Sequence, residues 1–274
     1  YTACWQHPGR QQRKEEMDLG LSGTSVLITG SYRGTGLIMA RAFLDEGADV
    51  WVHGLEPGQA EAAVAERGAG RPGTGDIRTE AGSAELVAAL EGRIPDVLVN
   101  NYGAAERGRW VASDSDDWIA AYQLNVLSAT RLINHCLPAM REAERARIIN
   151  LGTVGSTRPN ARNPQYYAAK GALATLSVSL AKEVAGTNIR VNLVSPGMIL
   201  TPEVQAAYMA EAERKGWGDT WEEVEAHVAR DIPIRRIVTR EEVAALVVFL
   251  ASPLADGIHG QNIRVDGGSL DILT

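Results

Sequence analysis

The chain has 274 residues, 45% of them hydrophobic and 22% charged, with a formal net charge of −7. That is the composition of an ordinary globular protein, and its dispersed acidic charge argues against a nucleic-acid or anionic-membrane surface. Two cysteines, Cys4 and Cys136, form no framework of bridges, which suits a cytoplasmic protein, and no apolar run approaches the ~18–20 residues of a membrane span.

Residues 1–16 are polar and basic, without periodicity or an apolar signal core. They read as an extension (disordered, an upstream translation product or an expression remnant), with a single domain expected over 17–274. Val26-Leu27-Ile28 is a short buried strand ending at Thr29-Gly30, and a helix pattern runs through Leu37 and Leu44 to Gly47. Asp49 to Gly54 is a second strand, and a helix covers about 58–67. The Gly/Pro-rich stretch 68–75 reads as a turn leading to Asp76-Ile77, with a helix over 83–90. A strand follows at 95–100, then one long helix from Trp118 to Met140. Residues 147–151 form a strand, 166–184 a long helix and 189–194 a strand. Looser helical pieces at 202–215 and 221–230 precede a helix at 240–250 and a last strand at 262–267. Continuous apolar strands alternating with amphipathic helices predict a Rossmann-type, doubly wound parallel sheet of about seven strands, with helices on both faces.

Two stretches carry chemistry. Thr29-Gly30-Ser31-Tyr32-Arg33-Gly34-Thr35-Gly36 joins the first strand to the first helix. In that context glycines allow a sharp turn and let a pyrophosphate approach the helix N-terminus, which predicts dinucleotide binding. Tyr166 and Lys170 stand four residues apart, so a phenol and an ammonium share one helical face. The cation is expected to lower the Tyr pKa from about 10 toward neutrality. The hydroxyl of Thr153 is available to hold a carbonyl oxygen against the phenol.

The spacing of the glycine turn resembles that of the short-chain dehydrogenase/reductase family, and further marks follow in order. Asn100-Asn101-Tyr102-Gly103 is similar to the family's Asn-Asn-Ala-Gly, and Asn125 falls at its helix-bending Asn. Thr153 lies thirteen residues before Tyr166, the family's Ser-to-Tyr spacing, while Ser156 is too close. Tyr166 and Lys170 match Tyr-x-x-x-Lys. Ser195-Pro196-Gly197 with Thr201, and Val265-Asp266-Gly267-Gly268, match later signatures. The departures are Thr153 for Ser and Tyr102 for Ala.

The resemblance implies an oxidoreductase interconverting a ketone and a secondary alcohol. Tyr166 would be its acid/base, Lys170 would hold the nicotinamide ribose, Thr153 the developing alkoxide, and Asn125 a water. Gly30, Ser31, Tyr32, Arg33, Gly34, Thr35 and Gly36 would cradle the cofactor. So would His53, Gly54, Leu55, Asp76, Ile77, Asn101, Tyr102, Gly103, Pro196, Gly197, Ile199 and Thr201. Strand two ends without an acid for a ribose 2′-hydroxyl, and Arg33 suits a 2′-phosphate, so NADP(H) is favoured with NAD(H) the alternative. His53 either contacts the ribose or phosphate or only fills the strand end. Tyr102 either lines the cofactor crevice or only changes packing, and Asp76 either meets adenine or caps a turn.

A substrate lid is expected at about 198–235, with Met198 and Tyr208 lining the pocket or anchoring the helices, and Trp217 and Trp221 nearby. Thr153, Gly155 and Arg158 would complete the substrate side, and Arg107, Arg109, Arg158 and Arg162 either meet an anionic group or are simply solvated. A 3-oxoacyl thioester, steroid, sugar or cyclic ketone would fit. His7, His135, His227 and His259 have no companions at ligand spacing, so no metal is expected. A homotetramer or homodimer is expected by analogy. The competing reading is a nucleotide-binding regulator with little turnover on the same fold.

Overall fold

The computed structural model describes residues 17–105 and 108–272. The expected N-terminal extension, Arg107 and the last two residues of the C-terminal tail lie outside them. In chain order the elements are β1 (Ser25–Ile28), α1 (Gly34–Asp45), β2 (Asp49–Gly54), α2 (Gln59–Arg67), β3 (Arg71–Thr74), α3 (Glu80–Ala89) and β4 (Val97–Asn100). Then come α4 (Ser115–Tyr122), α5 (Ser128–Glu142), β5 (Ala146–Leu151), α6 (Pro164–Glu183), β6 (Ile189–Pro196), β7 (Ile199–Leu200), α7 (Pro202–Lys215), α8 (Trp221–Val228), β8 (Val238–Thr239), α9 (Arg240–Ala251) and β9 (Asn262–Val265).

Seven strands form one sheet in the order β3-β2-β1-β4-β5-β6-β9, and every pair is parallel. Alternate residues of each strand feed two cores. Val26 and Ile28 of β1 join Val50, Val52, Val97 and Val99 beneath α1 and α9. Leu27 faces the other way, with Trp51, Leu98 and Ile148 beneath α3 and α5. Burial on both faces is why the strands read as unbroken apolar runs. Each fully buried Val, Leu or Ile contributes roughly 1.5–3 kcal/mol. Among the described residues no helix is long and apolar enough to cross a membrane.

Three expectations are corrected. The stretch 68–75 contains strand β3 rather than only a turn, and Asp76-Ile77 lies beyond it. β3 is an edge strand paired only with β2, and an edge tolerates Pro72. The long helix expected from Trp118 to Met140 is broken by a wide turn over Gln123–Leu127. There the Asn125 side-chain amide donates to Ala121 O at 3.0 Å, taking the carbonyl that a regular helix would offer to the Asn125 N–H. The last strand stops at Val265, because Gly267 and Gly268 turn in left-handed conformations against Ile232, Pro233 and Ile234. The 198–235 segment is bracketed by a two-stranded parallel sheet of β7 and β8, so it leaves and rejoins the main body at one place.

Candidate active site

The sheet order reverses between β1 and β4, and the crevice outside their carboxyl ends is where this architecture receives ligands. Asn101 Nδ2 donates to Thr29 O at 2.9 Å, and the Tyr102 N–H donates to Thr29 Oγ1 at 2.8 Å, tying the two strand ends together. Gly30 and Gly34 have φ of 63° and 61° in the turn. Gly36 is fixed by crowding instead: a Cβ there would lie 2.6 Å from Asn101 Nδ2 and 2.7 Å from Gly30 O. Gly34 and Gly36 leave two positions of the first turn of α1 without side chains, which fits a pyrophosphate. Arg33 is the exposed N-cap residue of α1, its guanidinium 5.3 Å from the centroid of the Tyr32 ring.

A second cluster stands on β5, α6 and the broken helix. Thr153 follows β5, and its hydroxyl lies beside the Tyr166 phenol on the first turns of α6, close enough to favour the phenolate. Ser156, the other upstream hydroxyl, donates to Thr153 O at 2.7 Å and supports the turn. Lys170 Nζ donates to Leu151 O at 2.7 Å and lies 6.0 Å from the Tyr166 ring centroid. Asn125 reaches the same place: its Nδ2 donates to Ala104 O and its Oδ1 accepts the Ala104 N–H, both at 3.2 Å. A Cβ on Gly103 would meet Asn125 Oδ1 at 2.6 Å and Lys170 Nζ at 3.2 Å. The two side chains converge on that glycine, which explains why a residue without Cβ is needed there.

The electrostatics differ from expectation. Burial pushes the Tyr166 phenol up to about 12, against the opposing effect of the Thr153 hydroxyl. Burial also pushes the Lys170 ammonium down to about 8. Desolvation outweighs the mutual attraction that the helical spacing suggested. The sign of the Lys170 effect is testable. Between about pH 8 and its ordinary value near 10.5 the unfolded chain holds a proton that the folded one does not. Folding stability therefore rises with pH across that window, by ~1.4 kcal/mol per pH unit. Chemical denaturation of wild type and Lys170→Met at about pH 7 and about pH 9.5 should show the wild type gaining ~2 kcal/mol on the variant. A pH-independent difference would mean that Lys170 keeps its proton.

The family model described as enoyl-(acyl carrier protein) reductase matches residues 30–269. The chain belongs to the short-chain dehydrogenase/reductase family. It is 32% identical to the Bacillus subtilis oxidoreductase YvaG over 262 residues, covering 92% of this chain and 98% of that protein. It is also 32% identical to the 3-oxoacyl-[acyl-carrier-protein] reductase FabG of Chlamydia pneumoniae, over 92% of this chain and 99% of that one. The L-sorbose reductase of Gluconobacter frateurii, complexed with NADPH and L-sorbose, superposes with a TM-score of 0.85 at 32% identity, covering 94% of this chain and 100% of that one.

Within this short-chain dehydrogenase/reductase, some expected contact residues are engaged elsewhere. His53 is fully buried. Its Nδ1 accepts the Gly30 N–H and its Nε2 donates to Gly75 O, each at 2.9 Å, so the ring is the neutral Nε2–H tautomer. Burial pushes its pKa down to about 4. His53 thus buttresses the glycine turn and does not present its ring to a ligand. Asp76 gives both carboxylate oxygens to Arg78, at 2.8 and 2.9 Å, and Ile77 is buried in the second core. Gly54 packs against Gln59, whose Oε1 accepts the Leu55 N–H at 2.9 Å. The Tyr102 ring lies beside Gly30, at 3.1 Å from where a Cβ would stand.

On the substrate side, Gly155 lies under the Tyr167 ring, which a Cβ would strike at 2.0 Å, so it is a packing position. Arg158 forms an exposed ion pair with Asp271 at 3.0 Å and is already neutralised. The Pro196-Gly197 turn follows β6, and Gly197 N–H donates to Val265 O at 2.9 Å. Ile199 begins β7, and Thr201 caps α7 by accepting the Val204 N–H at 3.2 Å. Met198 is 39% exposed at the start of the 198–235 segment, and Tyr208 sits half-buried on α7. Among the described residues no group of three potential metal ligands exists.

Sequence reasoning missed the buried relay behind the site. Asn100 Nδ2 donates to Asn150 Oδ1, and Asn150 Nδ2 to Ser177 Oγ, both at 2.8 Å. An amide at the end of each of two adjacent strands was the available signal for the relay. Gln165, at the end of the 159–165 stretch expected to wall the substrate side, donates its amide to Ser113 from beside Tyr166.

Proposed function

We propose that this oxidoreductase is an NADP(H)-preferring carbonyl reductase and secondary-alcohol dehydrogenase, acting on a small molecule in the cytoplasm as a single domain with its lid at about 198–235. The observation that carries the reading is the Tyr166 phenol beside the Thr153 hydroxyl, with Lys170 one helical turn along, at the carboxyl end of the sheet that also carries the glycine turn. When bound, the nicotinamide cofactor supplies or accepts the hydride. Tyr166 delivers the proton to the carbonyl oxygen in reduction and removes it in oxidation. The Thr153 hydroxyl donates to the oxygen as charge develops. Lys170 holds the nicotinamide ribose, and Asn125 fixes a water between Lys170 and solvent.

NADP(H) is favoured because β2 ends in His53-Gly54-Leu55, with no carboxylate for a 2′-hydroxyl, and because Arg33 stands exposed at the start of α1. Assembly as a homotetramer through the long helices and last strand is proposed by family analogy. Sugar-type ketones and 3-oxoacyl thioesters are the first substrates to try, given the L-sorbose reductase and FabG relatives. A panel of ketones and alcohols run with both NADPH and NADH tests the reading. It predicts turnover with NADPH at least about tenfold more efficient than with NADH, a difference of ~1.4 kcal/mol. Equal rates would remove the Arg33 argument. Tight NADPH binding without turnover of any carbonyl would favour the nucleotide-binding regulator.

A further inference from the structure

A cavity of about 500 Å³ opens where the segment before α4 meets the start of α6, lined by Gly108, Arg109, Ser113, Asp117, Arg162 and Asn163 among others. Asn163 is the N-cap of α6 and Arg162 the residue before it, so both stand at the mouth of the helix whose first turn carries Tyr166. The wall is built, not incidental. Asn163 stands in a left-handed conformation, with φ of 57°, and its N–H donates to Gly108 O at 3.1 Å. Gln165 is 7% exposed behind the same wall and donates its amide to Ser113. Its Oε1 is buried without a partner, against Gly108.

The Arg162 guanidinium acts on Glu211 and Tyr208 of α7, but no ion pair holds it. Arg158, the neighbouring arginine, is neutralised by Asp271, whereas neither Arg109 nor Arg162 has a carboxylate within ion-pair distance among the described residues. Asp117 also faces the cavity, but one of its oxygens accepts the Asp114 N–H at 3.1 Å in the capping box of α4. The remaining balance is positive, with hydroxyl and amide groups between the charges. That chemistry fits a hydroxylated molecule ending in an anion.

We propose that this cavity is the distal substrate subsite: Arg109 and Arg162 bind a carboxylate or phosphate at the end of a polyhydroxy ketone remote from the carbonyl that Tyr166 addresses. The inference deepens the reductase reading and rests on it for the identity of the reacting group. Its test compares 5-keto-D-gluconate and D-fructose 6-phosphate with the neutral ketoses L-sorbose and D-fructose, by turnover with NADPH and by calorimetric binding to the NADPH-loaded protein.

At least one of the anions should bind and turn over more efficiently than the neutral ketoses, and the better of the two identifies carboxylate or phosphate. Arg109→Gln and Arg162→Gln should each cost about tenfold in affinity and in kcat/KM for that anion, chiefly through KM. Neutral ketoses and the Arg158→Gln control should be unchanged, and added salt should weaken anion binding. Neutral ketoses reduced as well as the anions, with both arginine variants silent, would overturn the subsite while leaving the reductase reading intact. Arginine-dependent binding of the anions with no turnover of either would overturn the cavity as a substrate subsite, while the reductase reading would still be decided by the wider ketone panel.

Discussion

Replacing Tyr166 by Phe should lower kcat for carbonyl reduction by about 10²–10⁴, the range of a positioned general acid. NADPH binding should stay within about threefold of wild type, because the substitution removes one hydroxyl and no part of the glycine turn. The ring sits over Lys170 and beside Tyr167, and Phe keeps both contacts. What disappears is the phenol hydroxyl that stands beside Thr153. The high phenol pKa of about 12 gives the effect a direction in pH. Tyr166 stays protonated across the neutral range, so reduction keeps its acid there. Oxidation needs the phenolate and should quicken as pH rises toward the alkaline limit of stability. Steady-state rates in both directions, with cofactor titrations of the variant, check these points. A Phe variant with wild-type turnover would remove Tyr166 from the chemistry.

The second large effect belongs to Thr153. Thr153→Val keeps the branched shape and deletes the hydroxyl, and should cost about 10²–10³ in kcat, the scale of a lost donor to a developing oxyanion. Thr153→Ser should retain activity within about threefold, since only a methyl and some χ1 stiffness are lost. The structure gives the comparison its sharpness. Thr153 Oγ1 accepts the Gly155 N–H at 3.2 Å, which orients the hydroxyl in the turn after β5. Ser156 is already spent on Thr153 O and offers no substitute. If Val were as active as Thr, the upstream hydroxyl would have no part in catalysis. If Ser were far slower, the added methyl would itself be shaping the site.

The central strands were legible in the sequence because burial on both faces leaves an unbroken apolar signature, as in Val26-Leu27-Ile28 and Val97-Leu98-Val99. Edge strand β3 was not, since Arg71-Pro72-Gly73 has one neighbour and no need of that signature. The residues of the site were legible as a motif, but their engagements were not. His53 could either meet a ribose or fill the strand end, and its partners Gly30 and Gly75, more than twenty residues away on either side, decide for the second. Asp76 could meet adenine or cap a turn and Arg158 an anion or solvent, and the structure pairs them with Arg78 and Asp271. The wide turn at Asn125, where its amide takes Ala121 O, was legible only through the resemblance that put a helix-bending Asn there, because no helical periodicity encodes it. The Tyr166–Lys170 pair was found by spacing, but the outcome of desolvation against attraction depends on depth, which spacing does not carry.

The most direct measurement of the account is transfer of label from NADPH deuterated at the nicotinamide C4, with sugar ketones, 3-oxoacyl thioesters and cyclic ketones as acceptors. The account predicts that wild type places deuterium on the carbinol carbon of at least one product, with the hydroxyl proton drawn from solvent. Tyr166→Phe should bind the labelled cofactor and transfer label about 10²–10⁴ times more slowly. Wild-type protein that binds NADPH yet leaves the label on the cofactor with every acceptor, or a Tyr166→Phe variant that transfers it at the wild-type rate, would contradict it.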